Sequence, residues 1–155
     1  MVAPKAVMPK LLQAKQAAAL HPPGFNQRIV AEVLKDGFID RHVPTIRALY
    51  KRQCQAMLAA LAEHRGGLLD WNAPDGGMFL WSRLPAGVDA VKLLPLAVEH
   101  NVAFVPGAAF YADHPDTRSI RLSFVTASEA QIHTGIAALA TAIRQYQDQH
   151  VPQAA

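Results

Sequence analysis

Residues 119–125 read SIRLSFV, and this stretch decides the fold. Ile120, Leu122 and Phe124 alternate with Arg121, Ser123 and Val125. A period of two marks a strand with unlike faces. One face carries three large apolar groups and requires a core; the other carries a guanidinium and a hydroxyl. A guanidinium denied water is costly unless an anion answers it. Three arrangements satisfy Arg121: a wet face, a structural carboxylate beside it, or a bound anion.

Outward from this strand, the second half of the chain alternates strands and helices. Residues 78–84 form an aromatic-rich strand after the turn cluster Pro74-Asp75-Gly76-Gly77. Asp89 is placed to cap a helix reaching about residue 100, although Pro95 calls for a kink or a shorter helix. VAFVPG, 102–107, reads as a short strand closed by Pro-Gly, and PGAAF, 106–110, as a turn. After residue 125 the pairs Ser128/Gln131 and Thr126/Glu129 both fit a capping box, and the pattern leaves the choice open. Ile132, Ile136, Leu139 and Ile143 then mark a helix. Its last residues, from Gln145 onward, are expected to fray, with 151–155 a disordered tail.

The first half is helical. Residues 6–20 are rich in Ala, Leu, Gln and Lys, and HPPG at 21–24 ends them. A second helix is expected from Phe25 to Lys35, stopped at Asp36-Gly37. A third is expected from near Pro44 to His64, with an apolar stripe at Ile46, Leu49, Met57 and Leu61, widened by Tyr50 and Leu58. Arg65-Gly66-Gly67 ends it. The fold class is α/β of the α+β kind: N-terminal helices, then a small sheet with helices packed on one face. The expected division is a helical segment over 1–43, a connecting helix over 44–65 and a small α/β domain over 66–150.

Composition narrows the function. The chain has 155 residues, of which 51% are apolar and 17% charged, with a formal net charge of +3. That excludes disorder, and a chain of this length can bury roughly 70% of its unfolded surface. The apolar excess suits a surface that rests against another domain or subunit. The charge is too small to argue for nucleic acid; Arg41, His42, Arg47, Lys51 and Arg52 read as a solvated helix face. No run of about twenty apolar residues and no signal-like N-terminus occurs, so a cytoplasmic protein without membrane partners is the expectation. The single cysteine, Cys54, reads as a small apolar residue of a helix. The seven histidines show neither triad nor metal spacing. No phosphate-binding glycine loop or dinucleotide fingerprint is present.

Three motifs, in order and at suitable spacing, carry a resemblance: GGMFLW at 76–81, VAFVPG at 102–107 followed by Phe110, and IRLSF at 120–124 before a capped helix. Together they resemble the C-terminal part of fold type I, class I/II, pyridoxal-phosphate-dependent aminotransferases. The likeness is greatest to the branch of 2-aminoadipate, kynurenine and broad-specificity aminotransferases, and it covers nearly the whole chain. VAPKAVMPKLLQAKQAAALH, residues 2–21, resembles the segment just after the cofactor lysine in that family. The resemblance implies that residues 1–43 end the cofactor domain. It also implies that Arg121 grips the α-carboxylate of an amino-acid or 2-oxo-acid substrate. Gly77 and Phe79 fall at the edge of the implied site, and Asn26 and Gln27 near its entrance. Arg118 stands where the family often has a small polar residue.

The resemblance further implies pyridoxal 5′-phosphate and a homodimer. None of Lys5, Lys10, Lys15, Lys35, Lys51 and Lys92 stands in the family's Ser-x-x-Lys context. The expectation is therefore a C-terminal piece of an aminotransferase, inactive alone, with no catalytic residue of its own. Two alternatives stand beside it: the effector-binding half of a winged-helix transcription regulator, or a stand-alone α/β binding or assembly module. The first reading expects the opening helices to expose apolar surface; the module reading expects them packed.

Overall fold

A computed structural model describes residues 3–64 and 68–150. The chain forms two compact units, Met1–Thr45 and Ile46–Ala155. The expected helix terminator at 65–67 and the expected tail at 151–155 lie outside the described residues.

In the first unit, α1 spans Met8–Ala18, with a proline in its first turn where the missing N–H costs nothing. Helix α2 spans Gly24–Val33 and is shorter than expected. A single 3-10 turn at Lys35–Gly37 comes next, in which Asp36 and Gly37 both have left-handed backbones (φ 57° and 70°). The Arg41 guanidinium donates to the carbonyl of Asp36 and braces this reversal. Helix α3 starts at once, at Phe38 rather than near Pro44, and runs to Glu63 with Pro44 inside it. Phe38 and His42, one turn apart, stack at 5.3 Å and support the turn that proline weakens. Neither α1 nor α2 buries a residue, and Phe25, Ile29, Val30 and Val33 are exposed.

In the second unit, α3 buries Gln53, Ala56, Met57, Ala60 and Leu61. The expected stripe is thus right at Met57 and Leu61, but Leu49 is exposed and Ile46 only half-buried.

The sheet has four strands in the order β1-β2-β4-β3, every pair antiparallel. Strand β2 is Phe79–Arg83 and β4 is Ser119–Ser123, paired from Phe79↔Ser123 to Arg83↔Ser119. Both are shorter than their apolar patterns suggest. Strand β1, Asp70–Trp71, has no sequence signature; two residues cannot display a period. The expected strand over 102–107 reduces to β3, Val105–Pro106, at the edge. Proline lacks an N–H for a ladder and belongs at an edge.

Leu80, Ile120 and Leu122 point into the core, where they meet Met57 and Leu61 of α3, Leu93 and Ala97 of α4, and Ile132, Ile136, Leu139 and Ile143 of α5. Helices therefore cover one face of the sheet, as the alternation in 119–125 requires. Helix α4, Ala90–Glu99, is capped by Asp89, whose carboxylate accepts from the N–H groups of Val91 (2.9 Å) and Lys92 (3.1 Å). Pro95 is accommodated without shortening the helix. The carbonyl it cannot serve is that of Val91, an exposed residue, so water can replace the missing donor.

Helix α5, Glu129–His150, uses the Ser128/Gln131 box. Gln131 Oε1 accepts from the Ser128 N–H at 2.8 Å, and Ser128 Oγ accepts from the Gln131 N–H at 3.3 Å. The helix does not fray at Gln145. Tyr146 is buried and stacks on His150 at 4.4 Å, which holds the last turn.

Candidate carboxylate-binding site

The sheet face opposite the helices carries Phe79, Trp81 and Arg83 from β2 beside Ser119, Arg121 and Ser123 from β4. Arg121 is half-buried there. Its guanidinium carbon lies 4.2 Å from the centre of the Phe79 ring and 4.6 Å from that of Phe110. Each contact is worth about 0.5–2 kcal/mol, more as water is excluded. Arg121 Nε is buried with no hydrogen-bond partner. Among the described residues no carboxylate lies within ion-pair reach of this guanidinium, which excludes the structural-carboxylate arrangement there.

The neighbouring arginines behave differently. Arg83 donates from Nε and Nη2 to Asp116 Oδ2, at 2.7 and 2.6 Å. Arg118 reaches Asp116 Oδ1 with its backbone N–H at 3.0 Å and its Nε at 3.4 Å. The unusual Arg118 thus serves the loop before β4. Burial pushes the Asp116 carboxyl up, but the Arg118 N–H, the Arg83 hydrogen bond and the two guanidinium charges outweigh it and hold it below its ordinary value. A depressed folded value means the stabilisation is complete above the unfolded carboxylate range, about 3.9, and is lost as pH falls through the folded value. Replacing Asp116 by Asn should therefore lower the thermal midpoint at pH 6, with the deficit shrinking towards pH 2.5. A deficit independent of pH would refute this linkage.

Gly107 sets the height of the segment that brings Phe110. A Cβ there would collide with Ser119 Oγ and would meet Ser119 Cβ at 2.8 Å and Trp81 Cζ3 at 2.8 Å. Only glycine lets the 3-10 turn Gly107–Phe110 lie on the sheet. Trp81 meets Phe110 edge-on at 5.5 Å. Beside Trp81 the face opens into a cleft of about 390 Å³ lined in part by Asp70, Asn72, Arg83 and Tyr111.

The structure brings Phe79 to Arg121. Gly77, with φ 90°, makes the turn that leads into β2, which no larger residue does without strain. Asn26 and Gln27 belong to the other unit, on the exposed start of α2, where Gln27 Nε2 donates to the Pro22 carbonyl at 2.8 Å. The cluster itself comes wholly from the C-terminal unit. Cys54 is half-buried, and burial pushes its thiol up, away from thiolate chemistry. His100 is tied to Gln145 and His133 lies near Glu63. Among the described residues no group of side chains could hold a metal, and no helix is long and apolar enough to cross a membrane.

The profile of the family described as aminotransferase class I and II matches residues 1–139. The chain belongs to this family. The 2-aminoadipate transaminase of Thermus thermophilus is 41% identical over 143 residues, which are 92% of this chain and 36% of that protein. The crystal structure of LysN, an α-aminoadipate aminotransferase from Thermus thermophilus complexed with N-(5′-phosphopyridoxyl)-L-leucine, superposes with a TM-score of 0.79 at 40% identity. It is matched by 96% of this chain over 38% of its own length. The match extends to the uncharacterized HTH-type transcriptional regulator YisV of Bacillus subtilis, 28% identical over 91% of this chain and 29% of that protein. This aminotransferase-family chain thus spans about a third of the length of the curated relatives it matches.

The Arg121 cluster suits a carboxylate and does not suit the family's cofactor. No lysine is part of it: Lys51 and Lys92 are exposed on α3 and α4, helices that cover the opposite face.

Proposed function

We propose that this chain is the substrate-carboxylate part of an aminotransferase that moves an amino group between an amino acid and a 2-oxo acid. The observation that carries the reading is the guanidinium of Arg121, without a carboxylate among the described residues and packed against two aromatic rings on the sheet face opposite the helices. A planar fork offers a carboxylate two parallel charge-assisted hydrogen bonds. Fixing the α-carboxylate orients the α-carbon, and orientation is the contribution this chain makes.

The implied cofactor is pyridoxal 5′-phosphate, which when bound supplies an electron sink at the substrate's α-carbon. Residues other than these would hold it. On this reading, 1–43 complete the cofactor domain, 44–65 connect, and 66–150 form the small domain. Gly77 and Phe79 border the substrate, and Asn26 lies towards the entrance. The complete protein is a cytoplasmic homodimer whose second subunit helps form the site. The exposed apolar residues of α1 and α2 support an assembled state.

The test is a titration of the 155-residue chain with pyruvate, monitored at the Arg121 Nε–H resonance. A saturable shift is expected, with no amino transfer when cofactor, alanine and 2-oxoglutarate are supplied. An Arg121 resonance that ignores pyruvate would remove the carboxylate role, and amino transfer by the chain alone would remove the division of labour.

The likeness to the regulator YisV favours one second reading, in which the same carboxylate site senses an effector. A winged-helix coding segment in frame upstream would select it.

A further inference from the structure

We infer that Phe110 is a positioning residue for Arg121: its ring packs on the guanidinium beside that of Phe79 and narrows the directions from which a ligand reaches the fork. The inference rests on the reading of Arg121 as the carboxylate ligand. The two rings reach Arg121 by different routes. Phe79 is on β2, and its place comes from the strand register, since its partner Ser123 lies two residues beyond Arg121. Phe110 is not on a strand. It arrives at the end of the 3-10 turn, and that turn rests on Ser119 and Trp81 only because Gly107 has no Cβ.

The Phe110 ring stands at 89° to Trp81, the edge-to-face geometry that fixes a ring's tilt, and it faces the guanidinium at 4.6 Å. Among the described residues no carboxylate pairs with this guanidinium, so the rings supply the restraint that an ion pair would otherwise give. The guanidinium is planar by itself, and two rings packed on it hold that plane in one orientation. A carboxylate that binds both of its edge donors must enter in that plane, so the slot sets the angle at which the ligand arrives.

The Phe110 side of this slot is open to solvent: Phe110 is 51% exposed. Its replacement therefore leaves the core intact. The experiment compares the full chain with Phe110→Leu and Phe110→Tyr, with Arg121→Lys as reference. Three readouts are taken: the thermal midpoint, the chemical shift of the Arg121 Nε–H without ligand, and the dissociation constant for pyruvate.

For Phe110→Leu the midpoint is expected to stay near that of the parent chain. The Arg121 Nε–H loses the part of its ring-current shift that Phe110 supplies and keeps the part from Phe79, and pyruvate binds roughly tenfold more weakly. Phe110→Tyr restores the shift and binds within about twofold of the parent chain. A role confined to stability would move the midpoint and leave the resonance in place.

If Phe110→Leu binds pyruvate like the parent chain while Arg121→Lys does not, the positioning role is overturned and the carboxylate site stands. If Arg121→Lys also binds like the parent chain, or the parent chain does not bind, the carboxylate reading falls and this inference with it.

Discussion

Arg121→Ala is expected to abolish saturable binding of pyruvate, and Arg121→Lys to weaken it roughly 10- to 100-fold. A guanidinium holds a carboxylate through two charge-assisted hydrogen bonds worth about 1.5–3 kcal/mol each. Lysine keeps the charge but offers a point donor in place of the planar fork, so about one bond is lost. Alanine loses both. The lysine ammonium would also be less suited to the slot between Phe79 and Phe110, because it has no flat faces for the rings to cover. In stability Arg121→Ala should cost no more than its two ring contacts, about 0.5–2 kcal/mol each, since among the described residues Arg121 makes no ion pair and its Nε no hydrogen bond. If the proposed function is right, the same titration in a longer protein that holds the cofactor should show weaker amino-acid and 2-oxo-acid binding with the cofactor retained. Unchanged substrate kinetics in Arg121→Lys would take this residue out of the site.

Phe124→Ala is expected to destabilise the C-terminal unit by about 3–5 kcal/mol, the cost of emptying a large buried ring site. Phe124 is only 2% exposed, and it lies among the core residues Leu80, Leu122 and Leu139. A domain holds only about 5–15 kcal/mol in total, so the loss is a large fraction of the whole. The thermal midpoint should fall by more than about 10 °C. The change should also reach the site. The Phe124 N–H points to the Met78 carbonyl at 3.5 Å, where β4 leaves the sheet beside the turn that carries Gly77. The informative control is Phe110→Leu, which removes an exposed ring of the same kind. A Phe124→Ala midpoint within a few degrees of the parent chain would mean that this ring does not organise the core.

Much of the fold can be read from residues close together in the chain. Alternation at Ile120, Arg121 and Leu122 names both faces of β4, because side chains on a strand point alternately to opposite sides. Asp89 marks the start of α4, and Ser128 with Gln131 that of α5, because a cap satisfies N–H groups two or three residues away. The start of α3 has no such marker. Pro44 reads as a first-turn residue, yet the helix begins at Phe38, where the left-handed pair Asp36-Gly37 ends the preceding turn. β1 pairs only two residues, Asp70 and Trp71, and so carries no periodic signal. Tyr146 keeps the end of α5 helical by burial, which local polarity does not reveal.

Alternation along residues 119–125 is enough to put Arg121 on the face of a strand opposite the core, where it needs water or an anion. The order of GGMFLW, VAFVPG and IRLSF marks the family. How the guanidinium is held follows from contacts between distant segments. Phe79, Gly107, Phe110 and Arg121 come from separate segments, and the ring contacts at 4.2 and 4.6 Å have no local pattern to announce them. The same is true of Asp116, which engages Arg83 and Arg118, while among the described residues Arg121 has no carboxylate. Periodicity and caps act over a few residues and can be read along the chain. Which arginine is neutralised and which is left to bind depends on distances through space, which folding alone creates.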